Sequence, residues 1–458
     1  MGINSRARAL LYVLGTTQVS EGQEPNVVSA SSKQQAAAAS LPPSSPAGGQ
    51  TGLKRTLTLT NAVLYGLGVT IGAGIYVLIG AAAARAGMHA PAAFVIAAVL
   101  MGLTAASFAE LAGRMPVAAG EAAYVRAAFQ SDRLATLVGL LAIAIAVVSA
   151  AAISVGSAGY VGVFLPLPEG VRITLVVLAM GAIAAWGIKE SVVFAGVMTL
   201  IEVGGLLLLL IAAGVWSGPE LVTRLPEAVP PIGNPAVAAG LAGATLLAVF
   251  AFLGFEGLVN IAEEVREPKR NLPRAIFITL LLTTVLYVLV AWVALVAVPA
   301  AELAASKAPL ALVFERLTGA PPVTMSAIAV VATLNGIIVQ VIMSSRVLYG
   351  LAAQGSLPGW LREVNPVTHT PINATLLTIA AVLVLALLLP LDELADITAR
   401  ITLLLFALIN LALARIKMRE TQAPANTYLA PPWMPWAGFA TCIGLLVVDL
   451  ALVVAARA

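Results

Sequence analysis

The feature that most limits what this chain can fold into is a series of about eleven apolar runs, each long enough, at about 20 residues, to cross about 30 Å of hydrocarbon as a helix. Backbone in hydrocarbon has no water to bond to, so every crossing must satisfy its own N–H and C=O groups. Continuous apolar runs, with no strict alternation, do this as helices. The runs fall near 61–83, 92–113, 134–165, 171–188, 192–216, 236–263, 275–299, 323–352, 373–390, 394–416 and 433–456, and twelve spans remain possible. Between 301 and 319 the apolar residues alternate with Glu302, Lys307, Glu315 and Arg316, the pattern of an amphipathic segment lying over a membrane face. The expected class is an all-α polytopic membrane protein in the cell membrane. Composition agrees: 60% hydrophobic and 10% charged residues exclude a soluble enzyme, in which the figures are about 45–50% and 25%.

The same counts narrow the chemistry. One cysteine, Cys442, and two histidines, His89 and His369, both in loops, supply no metal or haem site, so no metal and no cofactor is expected. No Gly-x-x-x-x-Gly-Lys-Ser/Thr segment occurs, so direct ATP drive would require a separate subunit. The formal charge of +3 sits in short loops beside the spans, where it orients the chain and does not bind nucleic acid. Of the 25 Lys and Arg, 18 fall on the side that holds the N-terminus and 7 on the other, which predicts a cytoplasmic N-terminus. Residues 1–52, dominated by Ser, Ala, Gln, Pro and Gly, read as a disordered tail. Residues 53–420 hold ten spans, and 421–458 a loop and an accessory last span.

Two spans carry glycine where membrane helices are usually continuous: Gly66-Leu67-Gly68-Val69-Thr70-Ile71-Gly72-Ala73-Gly74-Ile75 in the first and Phe250-Ala251-Phe252-Leu253-Gly254-Phe255-Glu256-Gly257 in the sixth. From the glycines alone, close helix packing is the simpler reading. Their placement says more, because the first and sixth spans are the corresponding positions of two five-helix halves. Paired interruptions of this kind mark an inverted-repeat transporter with a substrate site between two broken helices. Amides at a half-helix N-terminus suit a carboxylate and freed carbonyls suit an ammonium group, so an amino acid fits both.

These residues resemble the amino acid, polyamine and organocation transporter superfamily, in particular bacterial relatives of cationic amino acid transporters. The resemblance rests on Gly72-Ala73-Gly74-Ile75-Tyr76, on Phe252-Leu253-Gly254-Phe255-Glu256, on the loop from Glu263-Glu264-Val265-Arg266-Glu267-Pro268 to Pro273, and on Ser345-Arg346-Val347-Leu348-Tyr349-Gly350 through Leu357-Pro358. It implies a five-plus-five inverted-repeat fold with discontinuous helices 1 and 6 and amino acid uptake or exchange by alternating access. It further implies that the substrate carboxylate meets the amides of Ile71, Gly72, Ala73 and Gly74. The ammonium group would meet the carbonyls of Thr70, Phe250, Ala251 and Leu253, with Gly254 in the same break and Phe250 as an aromatic gate.

Two carboxyls lie inside spans, Glu202 in the fifth and Glu256 in the sixth, where a charge costs about 2.5–3.5 kcal/mol or more. Each is a candidate for carrying a coupling proton; for Glu256 the competing reading is a hydrogen-bonded structural carboxyl beside the break. In some proton-coupled relatives this part of the fifth helix carries a Lys, so Glu202 inverts the charge and that mechanism does not transfer. Substrate side chain, proton symport against exchange or sodium coupling, and oligomeric state stay open. A polyamine or other organic cation carrier and a non-transporting amino acid sensor stand as alternatives.

Overall fold

Each predicted span is a helix because its apolar middle leaves the backbone no partner but itself, and some of the ends are marked as well. The computed structural model describes residues 55–72, 74–117, 120–187, 192–231, 233–422, 424 and 426–457; the expected tail and Ala73 lie outside them. Fifteen α-helices follow in order: α1 Leu59–Ile71, α2 Gly74–Ala86, α3 Ala90–Arg114, α4 Gly120–Phe129, α5 Asp132–Val161, α6 Glu169–Trp186, α7 Val192–Thr223, α8 Pro235–Ala251, α9 Pro268–Ala297, α10 Ala300–Ala305, α11 Pro309–Thr318, α12 Val323–Ala353, α13 Ile372–Leu388, α14 Leu391–Arg419 and α15 Met434–Arg457. Three of the starts, those of α1, α5 and α8, have side-chain caps that satisfy otherwise orphaned amides. Thr58 Oγ1 accepts from Asn61 N (3.3 Å), Ser131 Oγ from Leu134 N (3.3 Å), and Asn234 Oδ1 from Ala236 N (3.0 Å) and Val237 N (3.3 Å).

Among the described residues, nine helical stretches are long and apolar enough to cross a membrane, and the shorter apolar helices α1 and α13 join them. With α1 and α2 taken as one crossing, every predicted span has its helix, and the chain is a multi-pass membrane protein. The amphipathic segment is the helix pair α10 and α11; α11 buries Leu310, Val313, Phe314 and Leu317 along one face. Helix α4 lies where the sequence reading had only a loop, since a ten-residue helix with Glu121 and Arg126 has too little apolar length to stand out.

The helices pair by rank. Span one (α1 and α2) packs on span six (α8 and the 3₁₀ turn Phe255–Ile261), span two (α3) on span seven (α9), span three (α5) on span eight (α12), and span four (α6) on span nine (α13). An odd number of crossings in each half inverts the second half relative to the first, so these pairings form the inverted-repeat arrangement. The two broken spans are also joined by main chain: in a parallel bridge, Leu57 N donates to Glu264 O (3.0 Å) and Arg266 N to Leu57 O (2.9 Å). Helix α15 packs on α14 and α3 and is held by Arg400, which donates to Asp449 from Nε (2.7 Å) and Nη2 (3.1 Å).

Candidate functional site

The two breaks form where glycine permits backbone that other residues resist. Helix α1 ends at Ile71 and α2 restarts at Gly74. Helix α8 ends at Ala251, and Gly254 takes φ +129° before the 3₁₀ turn. That angle lies in the region open to glycine and strained for other residues. The breaks cross at touching distance: a Cβ on Gly74 would lie 2.7 Å from Ala251 Cα, and one on Gly254 would lie 2.6 Å from both Cα and N of Thr70. Close backbone approach thus needs both glycines, and simple helix packing does not describe them.

Freed carbonyls gather at this crossing. The Tyr287 hydroxyl, from α9 and fully buried, lies 2.8 Å from Thr70 O, 2.9 Å from Ala251 O and 3.5 Å from Ile71 O. A phenol has one proton, so it donates to one carbonyl at a time and leaves the others short of a donor. The Thr70 hydroxyl is buried with no partner among the described residues. Beside these groups is a cavity of about 30 Å³, room for about two waters, lined by Gly68, Val69, Thr70 and Gly74 of span one and Phe250 and Leu253 of span six. Spans three and eight complete it with Ser149, Ile153, Gly336, Val339 and Gln340, where Gln340 Nε2 donates to Ser149 Oγ (3.4 Å).

The site residues named from the sequence are therefore distributed as follows. Thr70, Gly74, Phe250 and Leu253 line the cavity; Ile71, Gly72, Ala251 and Gly254 are buried in the crossing behind it; Ala73 lies outside the described residues. Phe252 and Phe255 of the sixth-span motif do not line the cavity. Phe252 packs on Tyr287 (centroids 5.3 Å) and Phe94 (6.5 Å), and Phe255 on Phe108 (5.9 Å) and Phe406 (5.7 Å). Sequence reasoning missed Tyr287, Ser149 and Gln340. The latter two are isolated polar residues in apolar helices, a signal that was present and is weak.

The two membrane carboxyls differ in surroundings. Glu256 Oε2 accepts from Gly254 N (2.9 Å), closing the turn that breaks span six. Glu202 Oε1 accepts from Asn335 Nδ2 (3.0 Å), while its Oε2 is buried with no partner among the described residues. The Glu202 carbonyl accepts from the Tyr76 hydroxyl of α2 (2.6 Å), so spans one, five and eight meet there. Glu121 on α4, which does not span the membrane, is pushed up to about 7 by burial.

Ion pairs close both ends of the bundle. On one, Arg85 of α2 donates to both oxygens of Asp396 on α14 (2.8 and 2.9 Å) and to Gly243 O of α8 (3.1 Å). On the other, fully buried Glu110 accepts from Arg114, from Lys417 Nζ (2.8 Å) and from Ala430 N (2.7 Å). Arg346 stays exposed and joins neither group.

Two discontinuous helices crossing beside a small cavity, in a bundle paired as two halves, define a membrane transporter and not an enzyme. The chain belongs to the amino acid permease family, whose model matches residues 57–457. It is 30% identical to the branched-chain amino acid permease BcaP of Bacillus subtilis, over 87% of this chain and 89% of that protein. It is 28% identical to the vacuolar cationic amino acid transporter 2 of Arabidopsis thaliana over 79% of this chain, spanning 59% of that longer relative. It is 26% identical to a methylthioribose transporter of Bacillus subtilis, over 82% of this chain and 84% of that protein.

Proposed function

We propose that the chain carries neutral amino acids across the cell membrane by alternating access, as a proton symporter or an exchanger, with its N-terminus in the cytoplasm. The observation that carries this reading is the set of carbonyls around the single Tyr287 proton, beside the N-terminus of α2. The C-terminal ends of α1 and α8 offer Thr70 and Ala251 carbonyls to an ammonium group. The first turn of α2, which starts at Gly74, offers amides without intrahelical partners to a carboxylate. The cavity lining includes Ile153, Phe250, Leu253 and Val339 and, among the described residues, no acid, which favours an aliphatic side chain over a cationic one. A cavity for about two waters is too small for any amino acid, so binding requires the half-helices to part.

For the coupling proton, Glu202 and Glu256 are the two candidates. Glu202 is the stronger, because one of its oxygens has no partner among the described residues and because its neighbours Tyr76 and Asn335 belong to helices that line the cavity. Glu256 already serves the turn.

The test is uptake of labelled leucine, valine, lysine and putrescine into proteoliposomes, with and without an inward proton gradient and with internal amino acid. The expected result is saturable leucine or valine uptake. Preference for lysine or putrescine overturns the substrate assignment, and binding without flux makes the chain a sensor. If the gradient stimulates uptake, Glu202→Gln is expected to remove that stimulation while retaining binding; unchanged stimulation removes Glu202 from the coupling.

A further inference from the structure

A second cavity lies at the membrane surface, far in sequence from the glycine breaks of span one. It measures about 460 Å³ and is lined by Lys269, Arg270 and Arg274 from the first turns of α9, by Phe277 one turn further on, and by Tyr428 from the loop before α15. Three cations converge on it with little to neutralise them. Lys269 and Arg274 form no ion pair among the described residues, and Arg270 reaches only an exposed Glu267 at 4.0 Å. The opposite wall is held in place, since Thr427 Oγ1 donates to Gly113 O (3.2 Å) and Ala430 N to buried Glu110. Phe277 and Tyr428 stack edge to face at 5.3 Å, closing the inner side with an apolar surface.

We propose that this pocket binds the phosphate headgroup of an anionic phospholipid. The position of the pocket selects a lipid over a soluble anion. Arg274 heads the exposed stripe Ile278, Leu281, Leu282, Val285 and Leu289 of α9, residues at helical spacing that face the hydrocarbon. An acyl chain lying along that stripe sets its phosphate beside Arg274 and Arg270. Trp433 and Trp436, exposed a few residues after Tyr428, mark the membrane interface at the same level. Basic pockets at such a level between helices recognise lipid phosphates through charge and hydrogen bonding.

Native mass spectrometry of the detergent-purified full chain, titrated with phosphatidylglycerol, phosphatidylcholine or inorganic phosphate, tests this. The expected result is tighter binding of phosphatidylglycerol than of phosphatidylcholine and no competition by inorganic phosphate. Removing one basic residue with Arg274→Gln should weaken phosphatidylglycerol about fivefold, and Lys269→Gln with Arg270→Gln and Arg274→Gln roughly 100-fold. Arg346→Gln, at an exposed basic residue elsewhere, should leave binding unchanged. Equal retention of both lipids, unaltered binding in the variants, or an equal loss with Arg346→Gln overturns the proposal. Inorganic phosphate that binds as well as the lipid assigns the pocket to a free anion and overturns it too. If the triple variant does not fold, Arg274→Gln alone decides.

Discussion

Replacing Tyr287 with Phe removes one oxygen from the point where the two broken spans meet. The ring should stay where it is, held by Phe252 at 5.3 Å and Phe94 at 5.8 Å, so the change isolates the hydroxyl. Tyr287 is fully buried, and without its hydroxyl the carbonyls of Thr70 and Ala251 lose the side-chain donor they share. Leaving a buried acceptor unsatisfied costs about 1–3 kcal/mol. For a chain of this size that corresponds to a fall of roughly 1–3 °C in the unfolding midpoint. The same carbonyls are the proposed ammonium acceptors, so the variant should also alter KM for amino acid uptake. Tyr160→Phe is the matched control. Its hydroxyl is equally buried, donates to Tyr76 O (2.5 Å) and accepts from Leu310 N (3.3 Å), away from the cavity. It should lose comparable stability and keep its KM. Thermal unfolding in detergent and uptake in proteoliposomes measure both quantities. A Tyr287→Phe protein with an unchanged midpoint shows that the carbonyls have other donors, and an unchanged KM removes them from substrate recognition.

Three other variants probe separate parts of the same frame. Gly254→Ala combines strain at φ +129° with a Cβ 2.6 Å from Thr70 backbone, and should cost about 2–6 kcal/mol, whereas Gly257→Ala, whose Cβ would meet Val69 at an ordinary 3.4 Å, should be tolerated; equal thermal stability of the two would refute the crossing geometry. With the Glu121 carboxyl pushed up from about 4.5 to about 7 by burial, the folded state holds a proton that the unfolded chain releases, so stability should fall as pH rises from about 4.5 to 7 and level off above. Glu121→Gln should flatten that slope, worth at most about 3 kcal/mol, and an unaltered pH profile of unfolding would exclude Glu121 as its source. A double-mutant cycle on Arg85→Gln and Asp396→Asn should give a coupling of about 1 kcal/mol or more for the bidentate pair, and a value below about 0.3 kcal/mol would mean that it does not hold α2 to α14.

The spans were legible because hydrocarbon imposes one requirement on every crossing, and that requirement leaves a run about 20 residues long. The breaks were legible for a related reason. Gly74 and Gly254 stand where backbone touches backbone, and the sequence shows the missing side chains directly. What the breaks touch was not legible. Tyr287 sits mid-helix among apolar residues, 217 positions from Thr70, and nothing local distinguishes it from Tyr76, whose hydroxyl goes to Glu202 O. The wall aromatics show the same limit. Phe250, Phe252 and Phe255 are near neighbours in sequence, yet the turn at Gly254 directs only Phe250 to the cavity. Asp449 in the last span has no local reason to be there, and the charge that explains it, Arg400, lies 49 residues away. Helix α4 was hidden because its burial comes from packing on α5 and α14, which leaves no apolar run.

The short bridge between Leu57 and the chain around Val265 is made of main chain on both sides. No side chain takes part, so among ordinary substitutions only proline at position 57 or 266 deletes one of its amide donors. The linkage is therefore insulated from sequence drift: pockets, charges and substrate preference are free to diverge while the halves of spans one and six at that end stay fastened to each other. Under the alternating access proposed above, a gate built this way has one moving part where the topology suggests two. In that reading the substrate meets, on that side of the membrane, a site that is shut or open, with no intermediate in which one half-helix swings away and leaves the other behind.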